Sequence, residues 1–234
     1  MGARPSREDD ERFMARALDL ARAQLGHTSP NPSVGCVIVA NGAIIAEGAT
    51  GDGGRPHAEE IALAAAGKSA EGATAYVTLE PCNQRSGGAA SCSQRLADAG
   101  IVRVVIAVDD PHPLGAHGAH RLAAHGVTLD HGVCETEARR LNTGFFKHVA
   151  TGRPLLVIDA DPSTYDGEFD LARNESYEAA LDRLGAKGWT RIHVLPGTAL
   201  AAQLTARGLV DEDRSQSDRK NENGPAPGPT RSEV

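Results

Sequence analysis

The chain has 234 residues, a formal net charge of -7, and only 3% aromatic residues. That balance offers no basic surface to a phosphate backbone and few platforms for stacked bases, which sets nucleic-acid binding aside. No apolar run reaches the ~18 residues of a membrane span and the stretch Ser6 to Arg16 is densely charged, so a cytoplasmic protein with no leader and no membrane partner is expected.

In chain order, Ser6 caps a helix with acids in its first turn, and Met14, Ala17, Leu18, Ala21 and Leu25 share one face up to Gly26. Thr28-Ser29-Pro30-Asn31-Pro32 must be a loop. Val34 to Val39 and Ala43 to Glu47 read as a hairpin turning at Asn41-Gly42. After a glycine-rich loop, Pro56 marks the start of a helix, which puts His57 and Glu59 in its first turn. Thr74 to Leu79 is a strand leading directly into Cys82, and Cys92 opens the next helix. Ile101 to Val108 is a strand buried on both faces. A short helix (Ala119 to His125), a strand (Val127 to Asp130) and one longer helix (Cys134 to Val149) follow. This order predicts a layered α/β domain over residues 1–150.

The pattern then restarts. Pro154 to Asp159 and Arg191 to Leu195 read as strands, Ser176 to Leu184 and Ala199 to Arg207 as helices, and Asp161 to Asp170 as turns. Residues 151–212 therefore form a small α/β annex with a marginal core, and the polar stretch 213–234 is expected to be disordered.

Three short stretches carry the chemistry: Pro56-His57-Ala58-Glu59, Glu80-Pro81-Cys82, and Cys92. One imidazole and two thiolates can hold one zinc ion and leave a position open for water, whose pKa the metal lowers to about 7. Glu59 stands too close to His57 along the chain to be an obvious fourth ligand. It is assigned instead as the proton shuttle between that water, the ring nitrogen and the departing ammonia. The pattern H-x-E…P-C-x-x-C marks zinc nucleobase deaminases. His57-Ala58-Glu59 and Pro81-Cys82 fit it, while the longer spacing to Cys92 implies an extended loop. Cys36 and Cys134 read as packing residues. The histidines at 112, 117, 120, 125 and 131 straddle loop, helix and strand, and are not expected to bind metal.

Taken together, these residues resemble the deaminase half of the riboflavin-biosynthesis deaminase/reductase. The resemblance rests on Thr28 to Val39, Pro56 to Glu59, Val77 to Cys82, Ala99 to Val105, Asp110-Pro111 and Leu141 to Phe146. It implies a three-layer αβα cytidine-deaminase-like fold, with His57, Cys82 and Cys92 as zinc ligands, Glu59 as acid/base and Asn31 as a substrate contact. It also implies a diamino-ribosylamino-pyrimidinone phosphate as substrate and a homo-oligomer as the assembly. Three positions that face the sugar and phosphate in the family differ here. Thr50 and Gln84 replace histidines, and Arg85 stands in a loop, Arg85 to Ala90, that lacks the family's basic pattern. A related deaminase acting on another aminated heterocycle is therefore the alternative, and a catalytically silent zinc-stabilised subunit is the third reading. Gly188 to Glu212 resembles the end of the family's reductase domain, whose middle is missing, so no NADP site is expected and the annex is read as structural.

Overall fold

The computed structural model describes residues 5–85 and 88–215. Helix α1 (Arg7–Arg22) starts at a reciprocal cap: the Ser6 hydroxyl accepts from the Asp9 amide, and the Asp9 carboxylate accepts from the Ser6 amide. Its buried stripe is Phe13, Met14, Ala17, Leu18 and Ala21. The helix lies so close to the sheet that a Cβ on Gly35 would come within 1.9 Å of the Ala17 carbonyl oxygen.

The first sheet has five strands, in the order β2-β1-β3-β4-β5. Strands β1 (Gly35–Ala40) and β2 (Ala43–Ala49) form the hairpin, with Asn41 at φ 52° and Gly42 at φ 76° in the left-handed turn that this dipeptide favours. Strand β1 is antiparallel to β3 (Thr74–Val77), and β3, β4 (Arg103–Ile106) and β5 (Thr128–His131) run parallel. Gly35 and Gly48 point to opposite faces. A Cβ on Gly48 would lie 2.2 Å from the Ala58 carbonyl, so α2 (Ala58–Ala66) packs on the face opposite α1. Helices α3 (Cys92–Asp98) and α4 (Gly118–Ala124) join the α2 layer, and α5 (Glu135–Leu141) joins α1. This is the three-layer αβα architecture read from the sequence.

The helix expected over Cys134 to Val149 is instead two helices, α5 and α6 (Thr143–Thr151), broken at Asn142. The buried Asn142 carboxamide accepts from the Ser33 amide at 3.1 Å and donates to the Ser33 carbonyl at 2.9 Å. Satisfying that buried polar pair holds Asn142 at φ -98°, ψ 19°, outside regular helix.

A second, parallel sheet of order β7-β8-β6-β9 follows, built from β6 (Leu155–Ile158), β7 (Gly167–Glu168), β8 (Arg191–Val194) and β9 (Glu212–Asp213). Helices α7 (Tyr177–Ala186) and α8 (Ala199–Ala206) bury Leu181, Leu184 and Leu204 against Leu156 and Ile192. Strand β9 reaches into the stretch expected to be disordered, because Asp213 pairs with Ile158 and the Arg214 amide donates to the Ile158 carbonyl at 2.8 Å. The rest of that stretch, 216–234, lies outside the described residues. Among the described residues no helix is long and apolar enough to cross a membrane.

Candidate active site

Local sequence places each reactive side chain at an element terminus. His57 is the residue before α2, with extended backbone (φ -72°, ψ 157°), rather than a member of its first turn. The reason is the cap: the Glu60 carboxylate accepts from the His57 amide at 3.0 Å, fixing His57 just outside the helix. Glu59 is in the first turn, as expected. Cys82 follows the β3 end, and Cys92 opens α3 behind its cap, Ser91, whose hydroxyl accepts from the Gln94 amide at 3.2 Å.

These termini converge. His57 Nδ1 lies 3.2 Å from Cys92 Sγ and 3.8 Å from Cys82 Sγ, and the three donor atoms lie within 4.8 Å of one another. Tetrahedral bonds of about 2.05 Å to nitrogen and 2.3 Å to sulfur would separate N and S by about 3.5 Å, so the spacing fits a zinc ion. Neither cysteine is in a disulfide. The Cys92 amide donates to Cys82 Sγ at 3.3 Å. Hydrogen bonding from the Cys92 thiol, opposed by burial and helped by the His57 ring, draws the Cys82 pKa down to about 4. The same bond, together with burial, pushes Cys92 up. The lowered pKa favours the thiolate at Cys82, the form that binds metal. The outer ring nitrogen of His57, Nε2, lies 2.9 Å from the Arg55 guanidinium.

Glu59 is 3% exposed, and burial lifts its carboxyl to about 7, against the opposing pull of the His57 ring. An acid poised near neutrality can take and return a proton at physiological pH. Glu60, its neighbour, behaves in the opposite way. Burial raises it, but hydrogen bonds from Arg85 and the His57 amide outweigh that and hold it at about 2.

A cavity of about 340 Å³ opens onto this cluster. His57, Glu59 and Cys82 line it, and so do Asn31, Thr50, Gln84 and Arg85, while Cys92 lies fully buried behind. Their polar groups are not equally free. The Thr50 hydroxyl accepts from the Val34 amide at 3.0 Å and donates to the Val34 carbonyl at 3.3 Å, so it holds the strand rather than a ligand. The Arg85 side chain is 7% exposed and paired with Glu60 at 2.8 Å. Asn31 donates to the Gly53 carbonyl at 3.3 Å. Gln84 is exposed at the rim. Ser86 and Gly87, within the loop read as altered, lie outside the described residues.

Sequence reasoning gave no role of their own to Arg55, Glu80, Asp110 or His148, all of which line the cavity. Glu80 had a signal, because it stands between a strand and Pro81-Cys82. Its carboxylate accepts from the Ala119 amide at 2.9 Å and the Asp110 amide at 3.4 Å, tying α4 and the 110 loop to the site. Asp110 is raised to about 6 by burial. Arg55 and His148 carry no pattern. Of the five-histidine tract only His112 reaches the cavity; His117 and His120 stack on each other, and none joins a metal-ligand group among the described residues.

Comparison with known proteins follows the same lines. The family of the cytidine and deoxycytidylate deaminase zinc-binding region matches residues 7–108. The chain is 46% identical to the Escherichia coli riboflavin biosynthesis protein RibD over 168 residues, covering 71% of this chain and 45% of that protein. It is 45% identical over 143 residues to a Buchnera aphidicola diaminohydroxyphosphoribosylamino-pyrimidine deaminase, covering 61% of this chain and 97% of that one. The structure of Acinetobacter baumannii RibD superposes with a TM-score of 0.75 at 26% identity, covering 89% of this chain and 86% of that chain. The chain spans about half the length of the RibD relatives it matches. On sequence and fold together, it belongs to the RibD-type deaminases, and its residues 7–108 match the zinc-binding region of cytidine and deoxycytidylate deaminases.

Proposed function

We propose that this chain is a zinc-dependent hydrolytic deaminase of an amino-pyrimidine-type heterocycle, with its division at residues 150 and 212 into deaminase, annex and tail. The observation that carries this is the buried Glu59 carboxyl standing beside the His57, Cys82 and Cys92 donors at the floor of one cavity. A purely structural zinc site would not bury a free carboxylate there at the cost of its desolvation.

In this reading His57, Cys82 and Cys92 hold the ion. When bound, zinc supplies a Lewis acid that makes water a nucleophile at neutral pH. Glu59 takes the proton released by the attacking water and gives it to the ring nitrogen; it then takes a second proton from the newly added hydroxyl and gives it to the amine, which leaves as ammonia as that oxygen becomes the carbonyl. Asn31 orients the heterocycle, with Arg85 and Gln84 toward its substituent; all three line the cavity.

The relatives are named for a diamino-hydroxy-phosphoribosylamino-pyrimidine, and that compound is the first substrate to test. The second reading is a different aminated heterocycle. It is favoured by Thr50, whose hydroxyl is spent on Val34, and by Arg85, whose charge is engaged by Glu60. Ammonia release by the zinc-loaded protein separates the two, measured on the phosphoribosyl substrate, its dephosphorylated form and free aminopyrimidines. Turnover of the phosphorylated compound alone supports the first reading, and preference for a compound without phosphate supports the second. No release from any of them returns the chain to a silent zinc-stabilised subunit.

The annex carries two strands of four residues and two of only two, too little sheet for a dinucleotide cradle, so we propose no NADP binding. A saturable NADPH-induced shift in melting temperature would overturn that. A homo-oligomer is proposed by analogy of fold alone.

A further inference from the structure

The loop that carries Asn31 is held from behind by the annex. The loop closes on itself: the Asn31 amide donates to the Thr28 carbonyl and the Thr28 hydroxyl donates to the Asn31 carbonyl, both at 3.0 Å. The annex approaches it at backbone distance. A Cβ on Gly188 would come within 3.0 Å of Pro30, and one on Gly26 within 2.9 Å of the Tyr165 backbone. At the start of α6, a Cβ on Gly144 would lie 2.5 Å from the Thr190 carbonyl.

One polar contact gives this packing a direction. The Ser29 and Thr190 hydroxyls lie 3.1 Å apart. Thr190 has one proton to donate, and the Asp166 carboxylate, at 3.1 Å, can only accept it. Ser29 is therefore the donor to Thr190, and the chain runs Ser29 to Thr190 to Asp166. Asp166 is in turn fixed by the Thr190 and Arg191 amides at 2.6 and 2.9 Å. Behind Asn31 there is a void of only about 10 Å³, reached also by Asp166 and Thr190, which at most holds one water. Asn31 lines this void as well as the large cavity, so a single residue layer separates annex from substrate space.

We propose that the annex is a positioning element for substrate, acting through Thr190 on the Ser29–Asn31 turn. This rests on the reading of Asn31 as a substrate contact. The similar Buchnera aphidicola deaminase is covered almost entirely by 143 residues of alignment, so a deaminase unit of this family is not in general the length of this chain. Here the annex backs the loop that lines the site, and among the described residues supplies no lining residue itself. Thr190 touches no substrate; it fixes the residue two positions before Asn31.

The test compares Thr190→Val, which keeps the side-chain shape and removes the hydroxyl, with Thr190→Ser, which keeps the hydroxyl, both in the full zinc-loaded chain. Thr190→Val should raise KM about tenfold, the equivalent of one hydrogen bond, with kcat within about twofold and zinc content unchanged. Amide exchange should quicken over 26–32 and at Gly53, whose amide donates to the His27 carbonyl at 2.8 Å. Thr190→Ser should restore both. If Thr190→Val fails to fold, Ser29→Ala removes the same bond from the other end and should give the same result. Unchanged KM and unchanged exchange in a folded variant would overturn the proposal, as would a fall in kcat with loss of zinc, which marks general damage. Exchange is read without substrate, so it decides the brace even if the wild-type chain releases no ammonia.

Discussion

Arg85 and His57 meet on one oxygen: Glu60 Oε2 accepts from the Arg85 guanidinium at 2.8 Å and from the His57 backbone amide at 3.0 Å. A cation at the cavity wall is thereby linked to the backbone of a metal-ligand candidate. The loop between the two cysteines and the start of α2 are thus one electrostatic unit.

Arg85→Ala should loosen that unit. Glu60 keeps the His57 amide and a more distant Arg95 at 3.5 Å, but loses its strongest charge partner. Supporting residues of this kind are worth about 10–100-fold in metal affinity. Competition with a chromophoric chelator should show zinc affinity falling by that factor, and an unchanged affinity would break the link drawn here.

Serine substitution at Cys82 or Cys92 should bring bound zinc well below one ion per chain. Cys134→Ser should not, because Cys134 lies at the start of α5, away from the donor group. Metal analysis of the purified proteins checks this. Equal zinc in all three variants would remove the assigned ligand set.

Glu59→Gln should cost about 10²–10⁴-fold in turnover, the usual contribution of a positioned acid/base. It should also make the metal-free chain more stable at alkaline pH. The folded carboxyl titrates at about 7 against an ordinary 4.5, so the native state holds the proton more tightly. Stability therefore falls as pH rises from about 4.5 to about 7 and stays low above that, by about 3 kcal/mol at most. Denaturant titrations of metal-free protein at pH 4.5 and 8 should show this slope in wild type and its loss in Glu59→Gln. A steeper slope in the variant would contradict the assigned burial.

Arg103→Leu should destabilise the chain by about 3 kcal/mol, because it removes two charge-assisted hydrogen bonds from the buried Asp10 carboxylate. Arg103 donates to both Asp10 oxygens at 2.8 and 2.7 Å and to Asp130 at 2.7 Å, and the Tyr76 hydroxyl also donates to Asp10 at 2.7 Å. This network pins α1 to β3, β4 and β5, far from the chemistry. Thermal unfolding reads the loss, and zinc content in the folded fraction should be unchanged.

The residues legible in the sequence were those whose meaning is local. Ser6 and Asp9 cap a helix, Asn41-Gly42 turns a hairpin, and His57, Glu59, Cys82 and Cys92 carry spacings that match one chemistry. The break at Asn142 was not legible, because a helical pattern runs through it and only Ser33, far back in the chain, supplies the partner that interrupts it. Asp213 reads as part of a polar tail until Ile158 is placed beside it.

The same divide runs through the site. Sequence alone determined which side chains carry donor atoms suited to a soft divalent cation and which carboxyl accompanies them, because donor chemistry belongs to the residue. Tertiary structure decided what those groups are free to do: Thr50 is spent on Val34, Arg85 on Glu60, and the Asn31 loop rests on Thr190. Hydrogen bonds and burial depend on which neighbours the fold brings within about 3 Å, and linear order does not encode that distance.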